Sequence, residues 1–332
     1  MAGEFMSFSV DTKNELSRLN TEKKCCMLAE IAGFIRFCGS IRLAGLGKFE
    51  VVMSTENLAV LRHYKALIKE YFDVETQVSE AEGRSIKKAS SYELTIKSEN
   101  GSEQVLREIG ILMVKEGSNT LSDGIYDVLI KTKCCRKAYL RGAFLASGTI
   151  SEPEKGYHFE ILCNTPKLAA DMAKLLNGFS SISAKIVTRN KRYGVYLKDA
   201  DQIGDVLKIM GVSAQLFKME DVILLKQIKN KSNRMRNCDT ANVEKTVSAA
   251  EKQIKAIRLL MEKGVLEKLD KKLISVATVR MENPYASLVE LGSLLDIPLK
   301  KSGVNHRLKK LEALAEKYKE EYNGTTNIEK KR

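Results

Sequence analysis

The feature that most constrains this chain is a helix-like stretch that occurs twice and carries a glycine both times. Residues 31–41 read IAGFIRFCGSI, and residues 140–150 read LRGAFLASGTI. A glycine inside a helix costs about 1 kcal/mol relative to alanine. One such residue is merely tolerated, whereas recurrence at matching positions calls for a structural reason. A helix surface without a side chain lets a second backbone approach. Gly33 and Gly142, each beside a small residue (Ala32 and Ala143), therefore predict that the two helices pack on each other as a seam across a pseudo-twofold axis.

The likeness extends outward from the glycines. After FIRFCGS comes IRLAGLGKFEVVMST, two strand-like runs around a glycine-rich turn. After FLASGT comes ISEPEKGYHFEILCNT, with Pro153 and Gly156 at the corresponding turn. Each pair of runs leads into an amphipathic segment, LAVLRHYKALIKEYF or KLAADMAKLLNGF, then into two more strand-like runs and a closing helix. The fold class expected is α+β: two tandem αββαββα units related by pseudo-twofold symmetry. Each unit makes a four-stranded antiparallel sheet with helices on one face and the other face free. The scaffold is placed at 10–222, with repeat 1 at about 10–116 and repeat 2 at about 130–222.

The charge is uneven. The chain carries a formal +13, but residues 226–332 hold 24 Lys and Arg against 14 Asp and Glu, most of the excess in one third of the length. Neutralising phosphates with Lys and Arg is the main sequence-independent source of nucleic-acid affinity, so this third is the candidate polyanion binder. It opens with LLKQIKNKSNRMRNCDTANVEKT, read as an exposed basic linker over 223–240, with Lys226, Lys229, Lys231, Arg234 and Arg236 free to run along a phosphate backbone. A helix over 240–263, closed by Gly264, and a second one stopped before Pro284 follow.

Then a short apolar-periodic helix over 287–295, the turn DIPLKK and a longer helix that Ser302 can cap give the helix-turn-helix pattern. The all-α domain is placed at 241–320 and a disordered tail at 321–332. In this pattern the start of the second helix meets base edges, which makes Asn305, His306 and Arg307 candidate base readers. Lys300, Lys301, Ser302, Lys309 and Lys310, with Lys231, Arg234 and Arg236, complete the candidate DNA-binding set, while Val304, Leu308, Leu311 and Leu314 face the domain.

Other classes are less well supported. Seven cysteines without C-x-x-C spacing and three scattered histidines argue against a disulfide framework and a zinc finger, so no metal and no cofactor is expected. Cys25-Cys26 and Cys134-Cys135 recur as adjacent pairs just ahead of the glycine helices. They read as packing residues, with a metal or redox role as the rival reading. No apolar run reaches the eighteen or so residues of a membrane span, and the N-terminus lacks signal-peptide character. The expected location is cytoplasmic and nucleoid-associated. Residues 1–5, MAGEF, precede a second methionine, and Glu-Phe is what a common restriction site encodes. They read as an expression scar.

The paired stretches resemble degenerate copies of the signature helix of the LAGLIDADG homing endonucleases, over about residues 24–212. That resemblance implies sheets forming a saddle over DNA, and an acid at the end of each signature helix that holds a divalent metal for cleavage. The acid positions fall on Cys38 and Ser147. Magnesium wants carboxylate oxygens, which a thiol and a neutral hydroxyl do not supply. Compensation by Glu30 or Glu160 is the alternative, though each reads as an ordinary surface ion pair.

Together with NRMRNCDTAN and SLVELGSLLDIPLKKSGVNHRLKKLEALAE, the repeats resemble the WhiA family of Gram-positive regulators, from Met6 to about Tyr318. The resemblance implies a DNA-binding transcription factor tied to sporulation and cell division, with a helix-turn-helix similar to the promoter-reading region of sigma factors. It also implies no enzymatic activity. The implied partner is double-stranded promoter DNA. RNA polymerase, a sigma factor or another sporulation regulator stands as the alternative partner, a surviving nuclease as the weaker alternative function, and no membrane partner is expected.

Overall fold

The computed structural model describes residues 7–45, 48–81, 91–189 and 192–329. The scar read at 1–5 lies outside them. The chain divides into two compact units, Met1–Lys226 and Gln227–Arg332.

The first unit opens with α1 (Phe8–Leu16) and α2 (Lys24–Cys38), then β1 (Gly39–Leu43), β2 (Phe49–Thr55), α3 (Leu58–Phe72), β3 (Gln77–Ala81), β4 (Ser91–Ile96) and α4 (Ser102–Glu108). A small hairpin, β5 (Leu112–Lys115) and β6 (Ser118–Leu121), precedes the second copy. That copy comprises α5 (Lys133–Ser147), β7 (Gly148–Ile150), β8 (Phe159–Cys163), α6 (Pro166–Asn177), β9 (Lys185–Arg189), β10 (Arg192–Leu197) and α7 (Ala200–Met210). The sheets have matching orders, β1-β2-β4-β3 and β7-β8-β10-β9, with every pairing antiparallel.

The two signature helices meet at their glycines. A methyl group on Gly33 would stand 2.4 Å from the Tyr139 carbonyl oxygen, and one on Gly142 would stand 2.1 Å from that of Glu30. Both distances lie inside van der Waals contact with a backbone that cannot swing away. Ala32 and Ala143 are buried beside them. Phe34 stacks on Tyr64 of α3, and Phe144 on Phe159 of β8, so each signature helix is also fastened to its own copy.

Two elements were not legible in the sequence. α1 is held by its Ser7 cap, by Thr12 Oγ1 donating to the Phe8 carbonyl at 2.7 Å and by Phe8 N–H donating to Glu152. The β5–β6 hairpin is anchored by Arg36, whose guanidinium donates to the Gly110 and Ser122 carbonyls.

α8 (Ala214–Glu262) begins where Glu15 accepts the N–H groups of Ser213, Ala214 and Gln215. This carboxylate satisfies donors that a helix start leaves orphaned and complements its dipole. Residues 223–240, read from sequence as an exposed basic linker, are helical within α8. No proline or glycine interrupts 214–263, and Lys, Arg, Gln and Glu are competent helix formers. Residues 227–246 are exposed throughout, so local hydrogen bonding rather than packing sustains them.

The second unit contains the end of α8, a 3₁₀ turn (Leu266–Lys268), α9 (Lys271–Glu282), α10 (Leu288–Ser293) and α11 (Lys301–Glu329). Its core gathers Ile257, Leu260, Leu273, Val276, Leu291, Leu308 and their neighbours. Gly264, at φ 62°, ends α8, and Val265 N–H returns to the Leu260 carbonyl in a left-handed cap. The single helix expected before Pro284 is split, because the Asp270 carboxylate accepts from Lys272 N–H and starts α9 afresh. Ser287 and Glu290 form a capping box on α10. α11 starts at Lys301, so Ser302 lies inside its first turn rather than at the cap. Helix also continues through 321–329, read from sequence as a disordered tail. No proline stops it there.

Candidate nucleic-acid interface

The two acid positions that the sequence resemblance marks fall at the C-terminal ends of α2 and α5. Cys38 is the last residue of α2, and its thiol donates to the Phe34 carbonyl at 3.2 Å. Ser147 is the last residue of α5, and its hydroxyl donates to the Leu162 carbonyl at 2.8 Å. Burial pushes the Cys38 thiol well above the ordinary range, although the Lys13 ammonium nearby works the other way. Lys13, delivered by α1, lines the cleft here with Ala146, Thr149 and Glu56, whose carboxylate acts on the Lys13 ammonium. A thiol held protonated, a committed hydroxyl and a cation do not fit a magnesium pair, which needs anionic oxygen.

Neither remaining acid is the surface ion pair that sequence suggested. Glu30 is buried in the seam, where it accepts from Arg141 of the other copy at 2.7 Å, from Thr21 at 3.0 Å and lies 2.9 Å from His63 Nε2. Burial alone would raise its pKa, but His63 and Arg141 together hold the carboxyl below the usual range. Glu160 is likewise buried, beside Arg189 and His158.

In the helical unit the start of α11 is amphipathic. Val304, Leu308, Leu311 and Ala315 are buried on one side. Ser302, His306, Lys309 and Lys310 are exposed on the other. Lys300 and Lys301 are exposed at its start. Asn305 and Arg307 sit on the flanks and are half-buried. Asn305 lines a groove of about 490 Å³ with Lys245, Lys309 and Glu312, and Arg307 Nη1 reaches the Lys272 carbonyl at 3.5 Å. His306 is therefore the central side chain of the exposed face. The turn before α11 packs closely on α10: Leu299 N–H donates to the Gly292 carbonyl at 3.0 Å, and a methyl on Gly292 would stand 2.1 Å from the Leu299 oxygen.

Lys231, Arg234 and Arg236 are exposed on α8. Lys226 is already engaged, donating to the Pro153 carbonyl at 2.5 Å and lying 4.8 Å from the Tyr157 ring centre.

The structure also assembles a group that spacing did not reveal. Cys25 and Cys26 in the first turn of α2 meet Cys134 and Cys135 in the first turn of α5, with all four sulfurs within 4.8 Å of one another. Thr132, the N-cap of α5, holds the Cys134 thiol down at about 7, and burial pushes Cys26 up to about 12.

Comparison with known proteins accounts for nearly the whole chain. Residues 24–112 match the model of the WhiA N-terminal LAGLIDADG-like domain, 136–229 that of the WhiA LAGLIDADG-like domain and 232–315 that of the WhiA C-terminal HTH domain. The chain is 41% identical over 315 residues to the probable cell division protein WhiA of Thermoanaerobacter pseudethanolicus, covering 95% of this chain and 99% of that one. It is 42% identical over 322 residues to the protein of the same description from Desulforamulus reducens, covering 96% and 99%. The crystal structure of full-length DUF199/WhiA from Thermatoga maritima superimposes with a TM-score of 0.59 at 26% identity, covering 94% of this chain and 99% of that one. Paired glycine helices, duplicated four-stranded sheets and a helix-turn-helix, in the order of those three domain models, lead to one conclusion: this chain belongs to the WhiA family.

Proposed function

We propose that this protein is a sequence-specific DNA-binding transcriptional regulator acting in cell division or sporulation at the nucleoid, and that it is not a nuclease. The observation that carries the reading is the start of α11, where a buried apolar stripe fixes the helix and Ser302, His306, Lys309 and Lys310 stand together on its exposed side. A helix seated this way presents its first turns to a major groove. His306 reads base edges with Asn305 and Arg307 beside it. Lys300, Lys301, Ser302, Lys309 and Lys310 hold phosphates, as do Lys231, Arg234 and Arg236 on α8. The relatives' description as probable cell division proteins supports the cellular role. The Cys38, Ser147 and Lys13 set supports the absence of cleavage.

The test is fluorescence anisotropy of the full chain on a duplex selected from a random pool, beside a scrambled duplex. His306→Ala should narrow the gap between the two duplexes. Lys309→Ala should weaken both and flatten the salt dependence. Unchanged specific binding in both variants would refute the assignment. A second reading, a regulator that acts through RNA polymerase or a sigma factor, is favoured by exposed apolar side chains on α10 and its flanking turns: Tyr285, Val289, Leu294 and Ile297. Binding that becomes specific only when polymerase is added would select it.

A further inference from the structure

We propose that Cys25, Cys26, Cys134 and Cys135 form a tetrathiolate site for one zinc ion, which clamps the two copies of the scaffold together at the N-terminal end of their seam. The geometric requirement is strict and the thiols come close to it. A zinc–sulfur bond of about 2.3 Å in a tetrahedron places neighbouring sulfurs about 3.8 Å apart, and the four sulfurs here all lie within 4.8 Å of one another. Small rotations of side chains would close the difference. In a four-iron cluster each cysteine binds a different iron, and in a two-iron cluster the cysteines divide between two irons, which spreads the sulfurs further. The donor set, four soft sulfurs in a compact group, selects zinc over magnesium or calcium.

The helix starts supply donors and positive charge beside the four sulfurs. Both pairs occupy first turns of 15-residue helices, where backbone N–H groups and the positive end of the dipole stabilise anions. Neither first turn contains an acidic residue, and the start of α2 has no capping side chain. Lys23, Lys24 and Lys133 flank the pairs and offset the net negative charge of zinc bound to four thiolates. Cys26 and Cys135 are buried, whereas Cys25 is exposed and Cys134 half-buried, so an ion can enter from outside. Each helix donates an adjacent pair, so a bound ion would join segments more than a hundred residues apart in sequence, and its binding energy would add directly to the stability of the seam.

The experiment uses the full chain purified in reductant. Elemental analysis after zinc loading and gel filtration should find one zinc per chain. Replacement by cobalt should give thiolate-to-cobalt charge-transfer absorption in the near ultraviolet with strong tetrahedral bands in the visible. Cys25→Ser combined with Cys134→Ser, both at the less buried positions, should lose the ion and lower Tm, while Cys238→Ser should keep both. A chelator should lower Tm of the wild-type chain and leave that of the double variant unchanged. If the double variant fails to fold, the cobalt spectrum of the wild-type chain decides alone. Three results would overturn the proposal: wild-type chain without stoichiometric zinc and without the cobalt–thiolate spectrum, iron in place of zinc, or a disulfide among these four residues in protein kept reduced.

Discussion

The seam of the scaffold and the start of α11 treat charge in opposite ways. In the scaffold the seam buries its ionic groups and satisfies them: Glu30 receives Arg141, Thr21 and a contact from His63, and Arg36 is spent on backbone carbonyls of a hairpin. In the helical unit the basic side chains at the start of α11 and along α8 point outward, and among the described residues no salt bridge shorter than 4.0 Å occupies Lys300, Lys301, Lys309 or Lys310. The contrast separates two jobs. Charges locked in a seam specify which backbone meets which, whereas charges left in water remain available to a polyanion.

The largest effect expected from breaking this contrast is at the seam. Gly142→Leu drives a side chain into the Glu30 carbonyl and should cost more than about 4 kcal/mol, the extreme for single substitutions. Thermal unfolding checks it, and a Tm within a degree or two of wild type would show that the helices do not meet as described. Next comes Glu30→Ala, which strands Arg141 and His63 and should cost about 3 kcal/mol in chemical denaturation. The same carboxyl sets an acid limit. Its folded pKa lies below that of the unfolded chain, so the stability it contributes is present above about pH 4.3 and is lost as pH falls through the folded value. Glu30→Gln should therefore flatten the acid side of the stability profile, as monitored by circular dichroism.

Effects in the helical unit are smaller and appear in binding rather than folding. His306→Ala should cost about 1–3 kcal/mol of discrimination between preferred and scrambled duplexes. Lys310→Ala should lower the slope of log affinity against log salt by about 1 on either duplex. Smallest is Ile297→Ser, on an exposed turn, which should leave stability within about 0.5 kcal/mol. A loss of DNA binding there would mean that the apolar side chains around α10 contribute to the duplex contact.

What could be read in the sequence was local or repeated. The glycines revealed the seam because each defies helix propensity at the same place, and the sheets were legible because each copy repeats a pair of strand-like runs around a turn. The helix-turn-helix was legible from the apolar spacing of Val304, Leu308 and Leu311. Side-chain pairings between distant segments were not legible. Glu30 looked like a surface acid because its partners His63 and Arg141 lie 33 and 111 positions away. The four cysteines read as packing residues because no C-x-x-C spacing joins the recurring pairs, and only the meeting of α2 with α5 brings them together. Composition showed that 223–240 is exposed and basic but not that it is helical, although nothing there breaks a helix. Arg307, equal to His306 as a candidate in sequence, points aside to the Lys272 carbonyl, a consequence of its position on the flank of α11 rather than its outer face.

The central proposal is that the exposed face of α11 finds the DNA. Its most direct test is a genome-wide occupancy map comparing the wild-type chain with the His306→Ala, Lys310→Ala double variant at equal protein level and equal Tm. The account predicts discrete sites for the wild-type chain and their loss in the variant. An unchanged set of sites in the variant would contradict it.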